Sequence, residues 1–250
     1  MNIKWEERGD GEPLLLIQGL GYGRWSWDRV VPALAERYRV VSFDNRGIGD
    51  SDKPQGLYTA RLMAEDALQV LDEAGIDRAH VLGASLGGMI AQEVAAKTPG
   101  RVDKLVLCCT TPGGAATVPM PDVTVRLFAE APGLAPDVAL RRFVVNALGA
   151  DPSDELVDEL YELRLANPPD PAGWQAQAAA GLTFEGVDGA IDAPTLVLTG
   201  TEDNVVDPRN ADVVAARIPG ARVERLSGAG HLFFWEQPDA FVRIVSEFLR

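Results

Sequence analysis

Ser85 sits in the pattern of this 250-residue chain best suited to covalent chemistry, Gly83-Ala84-Ser85-Leu86-Gly87-Gly88. A short apolar run (80–83) precedes it and a helix-period segment (86–97) follows. A strand that turns abruptly into a helix at a serine holds the hydroxyl at the tip of a tight turn. Glycines must flank that turn because a Cβ would collide with neighbouring backbone. The helix N-terminus beneath such a serine favours developing negative charge. A bare Gly-x-Ser-x-Gly is also an ordinary Gly-rich turn; the strand before it and the helix after it make Ser85 a nucleophile candidate.

A serine hydroxyl attacks only when a base takes its proton. The chain has two histidines. His80 starts the run leading into Ser85, at the far end of a strand, and reads as a strand or edge residue. His231 lies in Ser227-Gly228-Ala229-Gly230-His231, a Gly-rich loop after the last strand-like run. Side chains at the carboxyl ends of a sheet converge there, so His231 is the candidate base; the alternative is a surface loop histidine. The base needs an acid to fix its tautomer. The loop at 201–208 offers Glu202, Asp203 and Asp207. Asp207 precedes Pro208 and reads as a helix cap, and Glu202 points away if Asp203 points in. Asp203 is therefore assigned, with a carboxylate elsewhere as the alternative. Two backbone N–H groups must hold the oxyanion. Leu86 follows the nucleophile, and Leu20 lies in Gln18-Gly19-Leu20-Gly21, where glycines let the backbone come close.

The elements that must position these residues alternate. Apolar runs at 14–17, 39–43, 80–83, 104–109, 195–199 and 222–226 read as strands buried on both faces, and segments at 59–74, 86–97, 208–218 and 238–249 have helical periodicity. This predicts an α/β fold with a mostly parallel sheet and helices on both faces. Between 113 and 193 no strand-like run appears, and prolines punctuate helix-like pieces, so an all-helical insertion of four short helices is expected. The chain divides accordingly into a core of residues 1–112 and 194–250 and a helical insertion of 113–193.

Composition bounds the partners. Acids outnumber bases 37 to 23, a net charge of −14, which argues against nucleic acid and against anionic membrane surfaces. Nine of those fourteen net charges fall in the 81-residue insertion. The run 151–162 reads as the solvated face of a helix capped by Ser153. Neither a signal peptide nor a transmembrane span fits the charged N-terminus. Cys108 and Cys109 read as core thiols on opposite faces of a strand, in the reducing environment of the cytoplasm, not as a disulfide. No cofactor is required, and two distant histidines supply no metal site.

Five ordered motifs together resemble the α/β-hydrolase superfamily: Gln18-Gly19-Leu20-Gly21, the Asp44-Asn45-Arg46-Gly47 turn running to Ser51, the Ser85 turn, Gly200-Thr201-Glu202-Asp203, and Gly228-Ala229-Gly230-His231. The resemblance is to the branch of small carboxylesterases, 3-oxoadipate enol-lactonases and cofactor-free perhydrolases. It implies the order Ser85, Asp203, His231 for the triad, a bracing role for 44–51, and a lid formed by the insertion over the carboxyl ends of the strands. Gln18 departs from the family's usual histidine, so hydrogen bonding in that loop must differ. A serine at 85, where dehalogenases and epoxide hydrolases use aspartate, argues against both, so the resemblance implies acyl transfer.

Phe128, Phe143, Trp174 and Leu232 are the expected pocket residues. Leu127, Leu140, Val144, Leu148 and Phe184 give further apolar faces, and Phe233, Phe234 and Trp235 are possible walls. An enol-lactonase would need a basic residue near its anionic substrate. Arg126, Arg141 and Arg142 are the candidates, but the acidic insertion disfavours this. The expected substrate is a small to medium, uncharged, moderately apolar ester or lactone. The alternatives are an enol-lactonase-like lactonase, a perhydrolase, or a slow-turnover ligand receptor on the same fold.

Overall fold

A computed structural model describes residues 1–250. Seven strands form one sheet: β1 (Trp5–Arg8), β2 (Glu12–Ile17), β3 (Tyr38–Phe43), β4 (Ala79–Ala84), β5 (Val102–Cys108), β6 (Thr195–Gly200) and β7 (Arg222–Leu226). Their order across the sheet is β1-β3-β2-β4-β5-β6-β7, with every pairing parallel except β1 against β3. β2 shows why the sheet needs covering on both faces. Leu15 and Ile17 enter one apolar core and Leu14 and Leu16 the other, as the two-residue period of a strand requires.

Six strands coincide with the expected apolar runs to within two residues at either end. β1 does not, because its sequence Trp-Glu-Glu-Arg shows no apolar run. It is an edge strand with an exposed, charged surface, a composition that discourages further pairing. His80 lies in the central strand β4 and is buried, not at an edge.

The helices are α1 (Val31–Leu34), α2 (Ala60–Glu73), α3 (Leu86–Lys97), α4 (Asp122–Glu130), α5 (Pro136–Asn146), α6 (Asp154–Ala166), α7 (Pro171–Leu182), α8 (Asn210–Ala216), α9 (Phe233–Glu236) and α10 (Pro238–Leu249). Side-chain caps set several starts. Thr59 accepts from the N–H of Leu62, Ser153 from Leu156, and Asp170 from Gly173, with Pro171 at the first helical position. Asp207 does not cap α8. It accepts from the N–H of Arg209 in a turn, and the helix starts only at Asn210.

Four helices, α4 to α7, occupy the connection between β5 and β6. No helix is long and apolar enough to cross a membrane.

Candidate active site

β4 ends at Ala84 and α3 begins at Leu86, so Ser85 alone makes the turn, at φ 55° and ψ −120°. The glycines around it are dictated by contact. A Cβ on Gly83 would lie 2.1 Å from the carbonyl oxygen of Gly87, and one on Gly87 would lie 2.1 Å from that of Ile17. Thr110 Oγ1 donates to the Ser85 carbonyl at 2.8 Å, pinning the turn to the chain beyond β5.

Across the carboxyl ends of the strands, Asp203 and His231 meet. Asp203 Oδ2 lies 2.7 Å from His231 Nδ1, and Asp203 Oδ1 accepts from the N–H groups of Val205 and Val206 at 2.8 and 2.9 Å. Both residues are buried. Burial pushes the imidazole's pKa down, but the adjacent Asp203 carboxylate outweighs this and holds it well above the ordinary histidine value. Glu202 points elsewhere and accepts from the N–H of Ala150.

The loop carrying His231 is clasped by Glu236. One of its carboxylate oxygens accepts from Gly230 N–H at 2.8 Å and the other from Gly149 N–H, just past α5, at 2.7 Å. Burial raises the Glu236 pKa, while these two N–H groups oppose the rise. Leu232 N–H also donates to Ala147 O, so the end of α5 is tied to the histidine loop by backbone and side chain together.

The Gln18–Tyr22 loop faces Ser85. Gln18 Oε1 accepts from Gly19 N–H at 2.8 Å and its amide donates to Ser26 Oγ, so this side chain both donates and accepts. Gly19 N–H is engaged by Gln18, whereas the N–H groups of Leu20, Leu86 and Gly87 have no protein acceptor. A Cβ on Gly19 would lie 2.9 Å from Ser85 Cβ, which shows how closely the loop approaches the serine. Asn45 Nδ2 donates to Gln18 O, and Asp44 accepts from the N–H groups of Arg24 and Asp50. The 44–51 turn therefore braces the loop from behind. From the insertion, Gln177 is fully buried; it accepts from Gly21 N–H and donates to Arg46 O.

Ser85 and His231 line one cavity of about 610 Å³. Leu20, Phe128, Phe143, Trp174 and Leu232 line it too, as do Leu140 and Val144. Phe234 is the one member of the 233–235 group that reaches it. Phe233 packs against Phe241, and Trp235 donates its indole N–H to Ser26 O. Leu127, Leu148 and Phe184 are buried away from the cavity. None of the three arginines considered for an anionic substrate is there. Arg141 pairs with Asp158, Arg142 with Glu130, and Arg126 is exposed. The lining instead contains Arg164, from the last turn of α6, and Tyr22.

Cys109 is a further cavity residue. Strand alternation places its side chain opposite that of Cys108, but β5 stops at Cys108 and Cys109 adopts φ 41°, so both thiols enter the same core. Ser85 and Cys109 are the only non-glycine residues of the chain with positive φ. Strained backbone of this kind concentrates where a fold serves a function. Ligand atoms of Cys109, Asp203 and His231 lie within 4.8 Å of one another. They suit a metal poorly, since Asp203 and His231 are already joined by a hydrogen bond and burial raises the Cys109 pKa, keeping its thiol protonated.

The model of the alpha/beta hydrolase fold family matches residues 12–238. The chain is 31% identical over 261 residues to the pimeloyl-[acyl-carrier protein] methyl ester esterase of Aeromonas hydrophila, covering all of both chains. It is 33% identical over 264 residues to a 2-hydroxy-6-oxononadienedioate/2-hydroxy-6-oxononatrienedioate hydrolase of Cupriavidus pinatubonensis, covering 99% of this chain and 90% of that one. Among solved structures it resembles the enol-lactonase of Burkholderia xenovorans with a TM-score of 0.86 and 26% identity, covering 99% and 96% of the two chains. The sheet order, the turn at Ser85 and these similarities lead to one conclusion: the chain belongs to the alpha/beta hydrolase fold family.

Proposed function

We propose that this hydrolase-family protein cleaves a small to medium carboxylic ester or lactone through an acyl-enzyme on Ser85. The observation carrying the reading is that Ser85, on its strained turn, shares a largely apolar cavity with a histidine hydrogen-bonded to a buried aspartate. In this mechanism His231 Nε2 takes the Ser85 proton as Oγ attacks the carbonyl. Asp203 holds the Nδ1–H and stabilises the imidazolium. The N–H groups of Leu20 and Leu86 receive the oxyanion. The proton passes to the leaving alcohol, and a water activated by His231 then releases the acid. The names of the esterase and enol-lactonase relatives support ester and lactone chemistry.

The test is Ser85→Ala, assayed on p-nitrophenyl acetate and butyrate. Turnover should fall on the order of 10⁴-fold or more. Undiminished turnover would remove the mechanism. A wild-type protein that binds such esters with a melting shift, yet turns none over, would favour the receptor reading instead.

A further inference from the structure

Arg164 is the one arginine or lysine lining the cavity, and no aspartate or glutamate lines it. Its guanidinium lies over the Tyr22 ring, 4.4 Å from the centroid, and Nη1 donates to the carbonyl oxygen of Gly21. No carboxylate pairs with it. Five acids lie on the same helix and none pairs with it; Asp158 pairs with Arg141 and Glu159 with Arg29. Asp170, at the start of α7, caps Gly173. Tyr22 offers no negative charge either, because burial raises its pKa, against the pull of Arg164, and keeps the phenol neutral. A cation in a largely apolar cavity, with one N–H engaged and four left over, calls for an anion.

We infer that Arg164 receives a carboxylate at the end of the substrate remote from the scissile carbonyl, so that the preferred substrate is a half-ester of a dicarboxylic acid or a lactone bearing a free carboxylate. The inference rests on the ester or lactone hydrolysis proposed above and names its substrate class. It departs from the uncharged substrate expected of an acidic insertion. Net charge acts at long range and is screened within about 8–10 Å at physiological salt, whereas a fork of N–H donors inside a cavity acts at contact. The planar guanidinium, seated over the Tyr22 ring and fixed by its bond to Gly21, offers a fork suited to two parallel hydrogen bonds to one carboxylate. The same group also grips Gly21, next to the proposed oxyanion donor Leu20, so binding of the remote anion and placement of the oxyanion loop share one side chain.

The experiment compares kcat/KM for monomethyl succinate, adipate and suberate with the same methyl esters carrying a terminal amide in place of the carboxylate. For the chain length that fits, wild type should prefer the carboxylate by about 10- to 100-fold, the worth of a charge-assisted hydrogen bond or two. Arg164→Gln should collapse that ratio towards one, and Arg164→Lys should restore part of it. Using the ratio removes any general loss from the freed Gly21 carbonyl. A wild-type protein that takes the amides as readily as the carboxylates at every length overturns the inference and leaves Arg164 as a loop tether, as does an Arg164→Gln protein that keeps the preference. Ser85→Ala in the same assay separates this failure from failure of the serine mechanism: there, hydrolysis of both series would persist.

Discussion

The loops at the carboxyl ends of the strands and the helices between β5 and β6 face each other across one cavity, but they are built differently. The loops are over-determined. Each oxygen of Asp203 is occupied, Gln18 is bound at both ends, and Gly19, Gly83 and Gly87 sit where a single Cβ would collide. The helices contribute broad apolar surfaces, some of them exposed, as at Val123, Val125 and Phe128. They are fastened at a few points, chiefly Gln177 against the Gly21 and Arg46 backbone and the 147–149 segment against the histidine loop. Groups that must act on a bond need fixed geometry, whereas walls that select a substrate need chiefly shape, with Arg164 the one charged contact they add. The proposed mechanism thereby divides reaction and selectivity between two regions of one chain.

Substitutions on either side can break that division. The largest effect is expected at Asp203→Asn, which leaves the histidine in the wrong tautomer and should lower kcat by about 10³- to 10⁴-fold. Its pH profile adds a second measurement. His231 must be neutral to act as base, and Asp203 holds its pKa high, so wild-type activity should rise with pH through a midpoint above the ordinary histidine value of about 6.5. Without the carboxylate the imidazolium loses its support, and the residual activity should titrate at lower pH. An unmoved midpoint would mean that another group controls the acid limb.

Gly19→Ala comes next. The added methyl, 2.9 Å from Ser85 Cβ, must displace the loop or the serine, and a misplacement of that order should reduce kcat by about 100-fold with the fold intact by circular dichroism. Phe143→Ala, on the helical side, removes far more material. Its ring lies 5.1 Å from that of Phe128, and losing it should shift kcat/KM by about tenfold towards bulkier acyl groups while kcat for acetate esters changes little. Equal loss for every acyl size would show that the helices also position the reacting groups, and the division of labour would fail.

The same contrast explains which residues are legible in the amino-acid sequence. The candidates Ser85, Asp203, His231 and the N–H groups of Leu20 and Leu86 stand out because tight loops constrain composition: glycines mark the places where a Cβ is forbidden, and chain order limits which residues can meet. The strand β1 does not, because an edge strand exposed to water carries charges where a central one carries valines. Arg164 is hidden for a related reason. In the sequence it is one base on a helix crowded with acids, and only the packing of α6 against Tyr22 separates it from Arg141 and Arg142, which pair on the surface. The position of Cys109 depends on where β5 stops, and alternation persists only while a strand continues.

The backbone at Ser85 also sets a thermodynamic trade. A side chain held at φ 55° and ψ −120° stores about 1–3 kcal/mol, and the remainder of the fold must outweigh it. Glycine adopts that conformation freely. After the entropy it loses on folding, Ser85→Gly should leave the protein about 1 kcal/mol more stable, melting roughly 2–4 °C higher. It would also be inert. Selection for robustness alone would discard the serine, so under the proposed mechanism this turn trades durability for reactivity.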